Sequence, residues 1–261
     1  MDMRPSTVRA DLLRRSAPAQ AMDCGTHILE ILSDLGDALD TAAVIERFKA
    51  VLGLMGADAG VFLSFIRDDA TRTSYRWILA CDPLWSVEYA SKGWHERDPW
   101  LRHAIHGTEP VRDTELSILP DEQDFVNASA ALGFASAVIA PAPSSAGSSR
   151  VGMLCLGSYS VGFFNGERYA KVRILARALA MELHRWLLQS MRMDLLARTR
   201  ITSAELDLLR HEEAGHTSKL IGATLNIEAK TVDCRFQRLN AKLDAPDRRS
   251  AARIARLYGL L

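Results

Sequence analysis

Two stretches of this 261-residue chain carry side chains whose type and spacing could do chemistry. In the first, near the C-terminus, Lys230, Arg235, Arg238 and Lys242 recur at helical spacing, with Thr231, Asp233 and Gln237 between them. Cations in a row on one helix face suit a polyanion: ammonium groups meet phosphates, and the planar guanidinium fork fits base edges. An ordinary solvated face has the same look, so the charges alone leave the choice open. The second stretch is LWSVEYASKGWHERDPWLRHAIHG, starting at Leu84. Trp85 and Tyr89 stand four apart, hence on one helix face, and Asp98 directly precedes Pro99. Local physics reads these as a core aromatic pair and as an N-cap with proline in the first turn.

The basic residues need a helix in the right setting, and the flanking sequence supplies one. Thr202 can cap a helix carrying Leu206 and Leu209, and Gly215 stops it. A short helix after His216-Thr217 contributes Leu220, Ile221 and Ala223; Leu225-Asn226-Ile227 then turns the chain. A third helix runs from about Glu228 to Leu243, with Val232, Phe236, Leu239 and Leu243 on its buried face. A short helix, a tight turn and a longer helix with a basic outer face is a helix-turn-helix layout. Its third helix is shaped for a DNA major groove. Thr217 and Lys219, at the start of the short helix, join the candidate DNA contacts.

The pattern T-x-x-E-x-x-x-L then G, T-x-x-x-I, a short L-x-I turn, T-V and K-L resembles the C-terminal domain of the LuxR family of transcription regulators. Glu205, Leu209 and Gly215 sit at the family's spacing. Glu228 stands where a capping Ser is usual, and Arg235 and Arg238 where His and Asn are usual. Glu228 gives up the side-chain cap, although its charge suits a helix N-terminus.

W-x-x-x-Y followed by D-P resembles the signature of the same family's autoinducer-binding domain. The resemblance implies that the Trp85 indole holds a lactone carbonyl and that Asp98 accepts from the amide of an acyl-homoserine lactone. A buried pocket orients an amide-bearing ligand with one donor and one acceptor inside apolar walls. Tyr89 and Trp100 join the implied ligand set. Cys81 stands where the family has a Tyr hydroxyl, and Cys155 where a Ser or Thr is frequent. Asp113 replaces a Trp that walls the lactone, and Ala137 a Gly. An unpaired Asp113 carboxylate against a neutral lactone is costly. If a neutral lactone is bound, Asp113 is expected to point to solvent or to pair with Arg112 or Arg102; if it faces the pocket, the ligand is expected to offer a donor or a cation, or side chains to fill the pocket. Ordinary acyl-homoserine lactones are expected to bind weakly or not at all, and a changed ligand or a pocket filled by side chains is the alternative.

The rest of the chain sets bounds. Lys+Arg and Asp+Glu number 32 each, with 11 basic and 8 acidic residues from position 200 on. Cys24, Cys81, Cys155 and Cys234 form no CxxC pair and read as reduced thiols of a cytoplasmic protein. No leader-like start and no long apolar run predicts a membrane segment, so the Asn127-Ala128-Ser129 sequon is read as noise. His103 and His106 lack partners at zinc spacing, and no metal or cofactor is expected beyond a small-molecule ligand. No phosphate loop, dinucleotide fingerprint or G-x-S-x-G elbow occurs. Asp68-Asp69 lacks the βα repeats of a phospho-acceptor domain. Cys155 or Cys81 as a lactone-cleaving nucleophile needs a His partner that spacing does not place.

Residues 26–52 show two helical patterns, and Ala59–Ile66, Tyr75–Ala80, Ala135–Ala140 and Val151–Leu156 read as strands. Helical stretches fall around Leu84–Gly93, Pro99–His106 and Asp121–Leu132, and a long helix starts near Asn165. Its stripe from Val172 to Trp186 and Leu187 is apolar enough to back the sheet, pair with a second subunit, or both. The expected fold is α+β: an N-terminal α-β-α sandwich on an antiparallel sheet, then an all-α four-helix helix-turn-helix domain. The expected division is a tail over 1–25, a sensor and dimerisation domain over 26–190, a linker over 191–200 and a DNA-binding domain over 201–261. This is the organisation of a non-enzymatic quorum-sensing regulator of double-stranded DNA that works as a homodimer. The alternatives are a regulator that needs no ligand and a module that sequesters a homologous regulator in a mixed dimer.

Overall fold

The computed structural model describes residues 25–67, 73–144 and 146–261. The expected tail, up to residue 24, and Asp68-Asp69 lie outside the described residues.

Five strands form one antiparallel sheet: β1 (Ala59–Arg67), β2 (Thr73–Ala80), β3 (Val111–Arg112), β4 (Ser136–Pro143) and β5 (Arg150–Ser158), in the order β2-β1-β5-β4-β3. The central strands β1 and β5 are buried on both sides, which is why they read as unbroken apolar runs rather than alternating ones. Val61, Leu63 and Phe65 face one core, and Phe62 and Ile66 face the other. β4 carries Pro141 and Pro143, which lie beyond the two residues paired to β3, where a missing N–H is tolerated.

Helices cover both faces. On one lie α1 (residues 25–35), α2 (Thr41–Met55) and α6 (Glu167–Thr199); on the other lie α3 (Leu84–Ser91), α4 (Pro99–His106) and α5 (Gln123–Ser129). Asp40 starts α2 by accepting from the Ala43 N–H at 2.9 Å, and Gly56 ends it in the left-handed region. The N-terminal part is thus an α-β-α sandwich. Residues 191–199, read as part of a linker, are the last turns of α6, and the chain leaves that helix at Arg200 with φ 51°.

The stripe of α6 closes on its own chain. Trp186 is 6% exposed and its indole N–H donates to the Ala38 carbonyl at 2.8 Å. Within the chain this stripe thus backs the sandwich, where a large apolar side chain with one donor is satisfied. Ile174, Met181 and Met193 are large apolar residues that α6 leaves exposed, the first two seven apart on one face. Among the described residues no helix is long and apolar enough to cross a membrane.

The C-terminal part is all helical: α7 (Ser203–Glu213), α8 (Ser218–Leu225), α9 (Ala229–Leu243) and α10 (Arg248–Leu257). Leu208, Leu209, Ile221, Val232, Phe236, Leu239 and Ala251 form its core.

Candidate functional site

The sensor site begins with two helix starts. Asp82 accepts from the Leu84 N–H at 2.9 Å and launches α3, which turns Trp85 and Tyr89 inward as a stacked pair 4.8 Å apart. Asp98 caps α4, its Oδ1 accepting from the Trp100 N–H at 2.8 Å with Pro99 in the first turn. Its Oδ2 accepts from the Tyr89 hydroxyl at 2.8 Å, so the cap and the aromatic pair are one structure.

Burial sets the electrostatics. It pushes the Asp98 carboxyl up to about 7, against the opposing pull of the Tyr89 hydroxyl and the Leu101 and Trp100 N–H groups. Burial, then the charge of Asp98, pushes the Tyr89 phenol well above its ordinary value. The Trp85 indole N–H finds no acceptor among the described residues, although the side chain is fully buried. A buried donor left in that state is costly, and a carbonyl oxygen beside it would relieve the cost.

Aromatic rings wall the site. Trp100 lies 4.8 Å from Phe125 and 5.5 Å from Phe134, and Phe134 lies 6.2 Å from Trp85. Trp94 meets Phe125 edge-on at 5.3 Å. Gly157 lets Phe134 approach the sheet, because a Cβ there would stand 2.4 Å from the Gly133 carbonyl and from Phe134. Cys155, fully buried on β5, belongs to the same cluster. Burial pushes its thiol well above the ordinary value, the opposite of what a nucleophile needs.

The substituted positions behave differently from one another. Cys81 follows β2 directly and is half-buried, its thiol directed to the Asp82 carbonyl at 3.6 Å, and burial pushes it up to about 12. Asp113 accepts from the Ala137 N–H at 3.0 Å. Arg112 goes to Glu115 and Asn165, and Arg102 to Glu122 at 2.8 Å. The expected solvent or arginine partner of Asp113 is thus replaced by a backbone donor. The physical reason is that β3 pairs only with Val138 and Ile139, which leaves Ala137 to find its acceptor elsewhere. Asp113 adds no unpaired charge to the aromatic cluster.

Trp85, Tyr89, Trp100 and Cys155 come together, Cys81 packs at their edge and Asp98 joins through Tyr89, while Asp113 stays outside the cluster. Sequence reasoning missed Trp94, Phe125 and Phe134, and Ser129, a fully buried residue whose hydroxyl has no partner among the described residues. Phe125 and Ser129 at i,i+4 were the available signal for an inward face of α5. Among the described residues no group of three or more metal-ligating side chains gathers.

The second site is α9 on its helical base. Thr202 and Glu205 form a reciprocal capping box, and the Thr217 hydroxyl accepts from the Leu220 N–H at 3.3 Å. Gly222 lets α8 approach the following turn: a Cβ there would meet the Ile227 carbonyl at 2.6 Å. Asn226 takes φ 53° in that turn, a conformation Asn tolerates. Glu228 makes no side-chain cap. Lys230, Thr231, Arg235 and Arg238 are exposed on α9 and Lys219 on α8; their side chains hold no hydrogen bond or ion pair among the described residues. Lys242 differs: its ammonium pairs with Glu205 at 2.7 Å and reaches the Arg200 carbonyl at 3.3 Å. Burial works against the Glu205 charge, yet bonds from Lys242 and Thr202 hold that carboxyl below its ordinary value. Lys242 therefore ties α9 to α7.

The family model for an autoinducer binding domain matches residues 40–187, and that for bacterial regulatory proteins of the luxR family matches residues 199–255. No curated protein matches the sequence. Among solved structures, SdiA of Escherichia coli superposes with a TM-score of 0.71 at 17% identity, over 90% of this chain and 98% of its own. SdiA in complex with octanoyl-rac-glycerol gives 0.67 at 18% identity, over 90% and 95%. The N-acylhomoserine lactone dependent LuxR family factor CepR2 from Burkholderia cenocepacia gives 0.55 at 18% identity, over 65% and 96%. At these identities the likeness is one of fold.

Proposed function

We propose a mode of action for what this chain is: it belongs to the luxR family of bacterial regulatory proteins, with an autoinducer binding domain ahead of its DNA-binding helices, and is a transcription regulator rather than an enzyme. Its sensor domain takes a neutral acyl compound, an acyl-homoserine lactone or a related amphipathic molecule, whose carbonyl oxygen accepts from the Trp85 indole. The observation that carries this reading is the buried Trp85 N–H without an acceptor among the described residues, with a buried Asp98 linked to it through the Tyr89 ring and able to accept further hydrogen bonds. Aromatic walls supply the apolar surroundings that an acyl tail needs. CepR2 is by its name dependent on N-acylhomoserine lactone, and SdiA was solved with octanoyl-rac-glycerol; both ligands present an acyl carbonyl.

The α9 helix enters the major groove with Arg235 and Arg238 at base edges and Lys230 at phosphate, while Thr217 and Lys219 meet the backbone at the start of α8. The regulator works in the cytoplasm as a homodimer, since one short helix has a small footprint and a two-fold site doubles it. Ile174 and Met181 are the exposed residues of α6 that suit the subunit contact. The bond between Tyr89 and Asp98, with Phe134 set near both Trp85 and Trp100, favours a second reading in which side chains fill the site and the regulator needs no ligand.

Selection of bound duplexes from a random pool, followed by the mass of the complex, tests the DNA side. Two-fold related half-sites with two chains per duplex are expected. Failure to enrich any sequence, or one chain per duplex, would overturn it.

A further inference from the structure

Arg150 opens β5 on the sheet face away from the aromatic site, and it is 1% exposed. Among the described residues no carboxylate holds it. Its Nε donates to the Ser64 hydroxyl at 3.4 Å, Nη2 meets the Met191 sulfur on α6 at 2.9 Å, and Nη1 donates to the Leu257 carbonyl. Leu257 is the last residue of α10, so its carbonyl is one of those a helix leaves over at its negative end.

The packing around this bond is continuous across the two domains. Leu257 is buried in the core formed by α1, α2, α6 and the sheet, and Tyr258 packs against both that core and the helical one. Gly259, at φ 71°, comes so close to Leu188 that a Cβ would lie 2.8 Å from it. A second arginine crosses in the other direction: Arg253 of α10 donates to the Arg67 carbonyl, at the end of β1, at 2.6 Å.

A guanidinium stripped of water and given no carboxylate depends on every neutral acceptor around it. Ser64 and Met191 belong to the sandwich, and the one carbonyl among the three acceptors comes from the docked α10. His184, buried near the start of β5, adds no competing charge, since burial and then Arg150 push it down to about 4.

We propose that Arg150 is a latch between the sensor and the DNA-binding domain, with Arg253 as its counterpart. It seats the end of α10 on the sheet and so fixes the direction in which α9 is presented. β5 is the shared element: Met153 and Cys155 face the aromatic cluster, and Leu154 and Leu156 face the core in which Leu257 sits. A shift of the strand on the sensor side is a shift of the latch. The latch stands whether or not the aromatic site takes a ligand.

Hydrogen exchange on the full chain tests it, with Arg150→Met removing the cation and Arg253→Ala cutting the exposed contact without touching the sandwich core. Amides of residues 254–260 should exchange about 10-fold faster in Arg150→Met and measurably faster in Arg253→Ala, with α7 to α9 still protected. If Arg150→Met does not fold, Arg253→Ala decides alone. Unchanged protection of 254–260 in the folded variants, or equal loss throughout α7 to α10, would overturn the latch.

Discussion

The Tyr89 hydroxyl donates to Asp98 Oδ2 at 2.8 Å across nine residues of sequence, and both side chains are buried. That bond joins the aromatic face of α3 to the cap of α4 and makes Asp98 the titratable centre of an otherwise apolar cluster.

A pH dependence follows. The Asp98 carboxyl is pushed up to about 7 in the folded chain, against an ordinary 3.8. Between those values the folded state holds a proton that the unfolded chain has released, so stability falls as pH rises through the window. The penalty is absent below about 4 and complete above about 7, where it amounts to a few kcal/mol at most. Asp98→Asn keeps a capping oxygen and removes the titration. Melting wild type and variant at about pH 5 and about pH 7.5 should show the variant gaining relative stability at the higher pH. A difference that does not change with pH would mean that Asp98 is ionised at ordinary cost.

Arg238→Ala should weaken specific DNA binding by about 1–3 kcal/mol and relax preference at one base pair. Lys230→Ala should weaken all sequences alike and reduce the salt slope by about 1. Anisotropy titrations at several salt concentrations separate the two. Equal effects on operator and random DNA from both variants would make Arg238 a phosphate contact.

Lys242→Ala should act on stability instead. It breaks the Glu205 pair, leaving that half-buried carboxylate with its Thr202 bonds alone and the Arg200 carbonyl without its donor. A loss of about 1 kcal/mol in the helical domain is expected, with an unaltered salt slope for DNA. A reduced slope with unchanged melting would make Lys242 a phosphate contact, as its place among the basic residues of α9 suggests.

Trp186→Phe should lower the melting temperature through the lost bond to Ala38 and the smaller ring, by about 1–2 kcal/mol, and leave the oligomeric state alone. Ile174→Glu should do the reverse, shifting sedimentation toward the monomer with little loss of stability. If Trp186→Phe dissociates the protein while Ile174→Glu does not, the subunit contact lies elsewhere.

Local signals made much of this legible from the residues. Thr202, Thr217 and Gly215 punctuate the helices, the apolar runs mark the central strands, and Asp98-Pro99 announces a helix start. What stayed hidden rests on contacts between distant segments. Asp113 could be a charge facing a ligand or solvent because nothing local says that β3 stops short of Ala137 and leaves its N–H to Asp113. Lys242 looked like its basic neighbours because its pairing with Glu205 spans two helices. Arg150 ends a turn rich in Pro, Ser and Gly, and reads as surface until α10 is seen to cover it. Trp186 fits a core and an interface equally well, and its bond to the Ala38 carbonyl, 148 residues away in sequence, has no local signal.

The most direct measurement is calorimetric titration of octanoyl-homoserine lactone and of octanoylglycerol into the full chain and into Trp85→Phe. Wild type should bind at least one of them, and the variant should bind it about 10–100-fold more weakly, the value of one buried hydrogen bond to a carbonyl. Equal affinity of the two proteins would remove Trp85 from the site, and no binding to wild type by either compound would favour the regulator that needs no ligand.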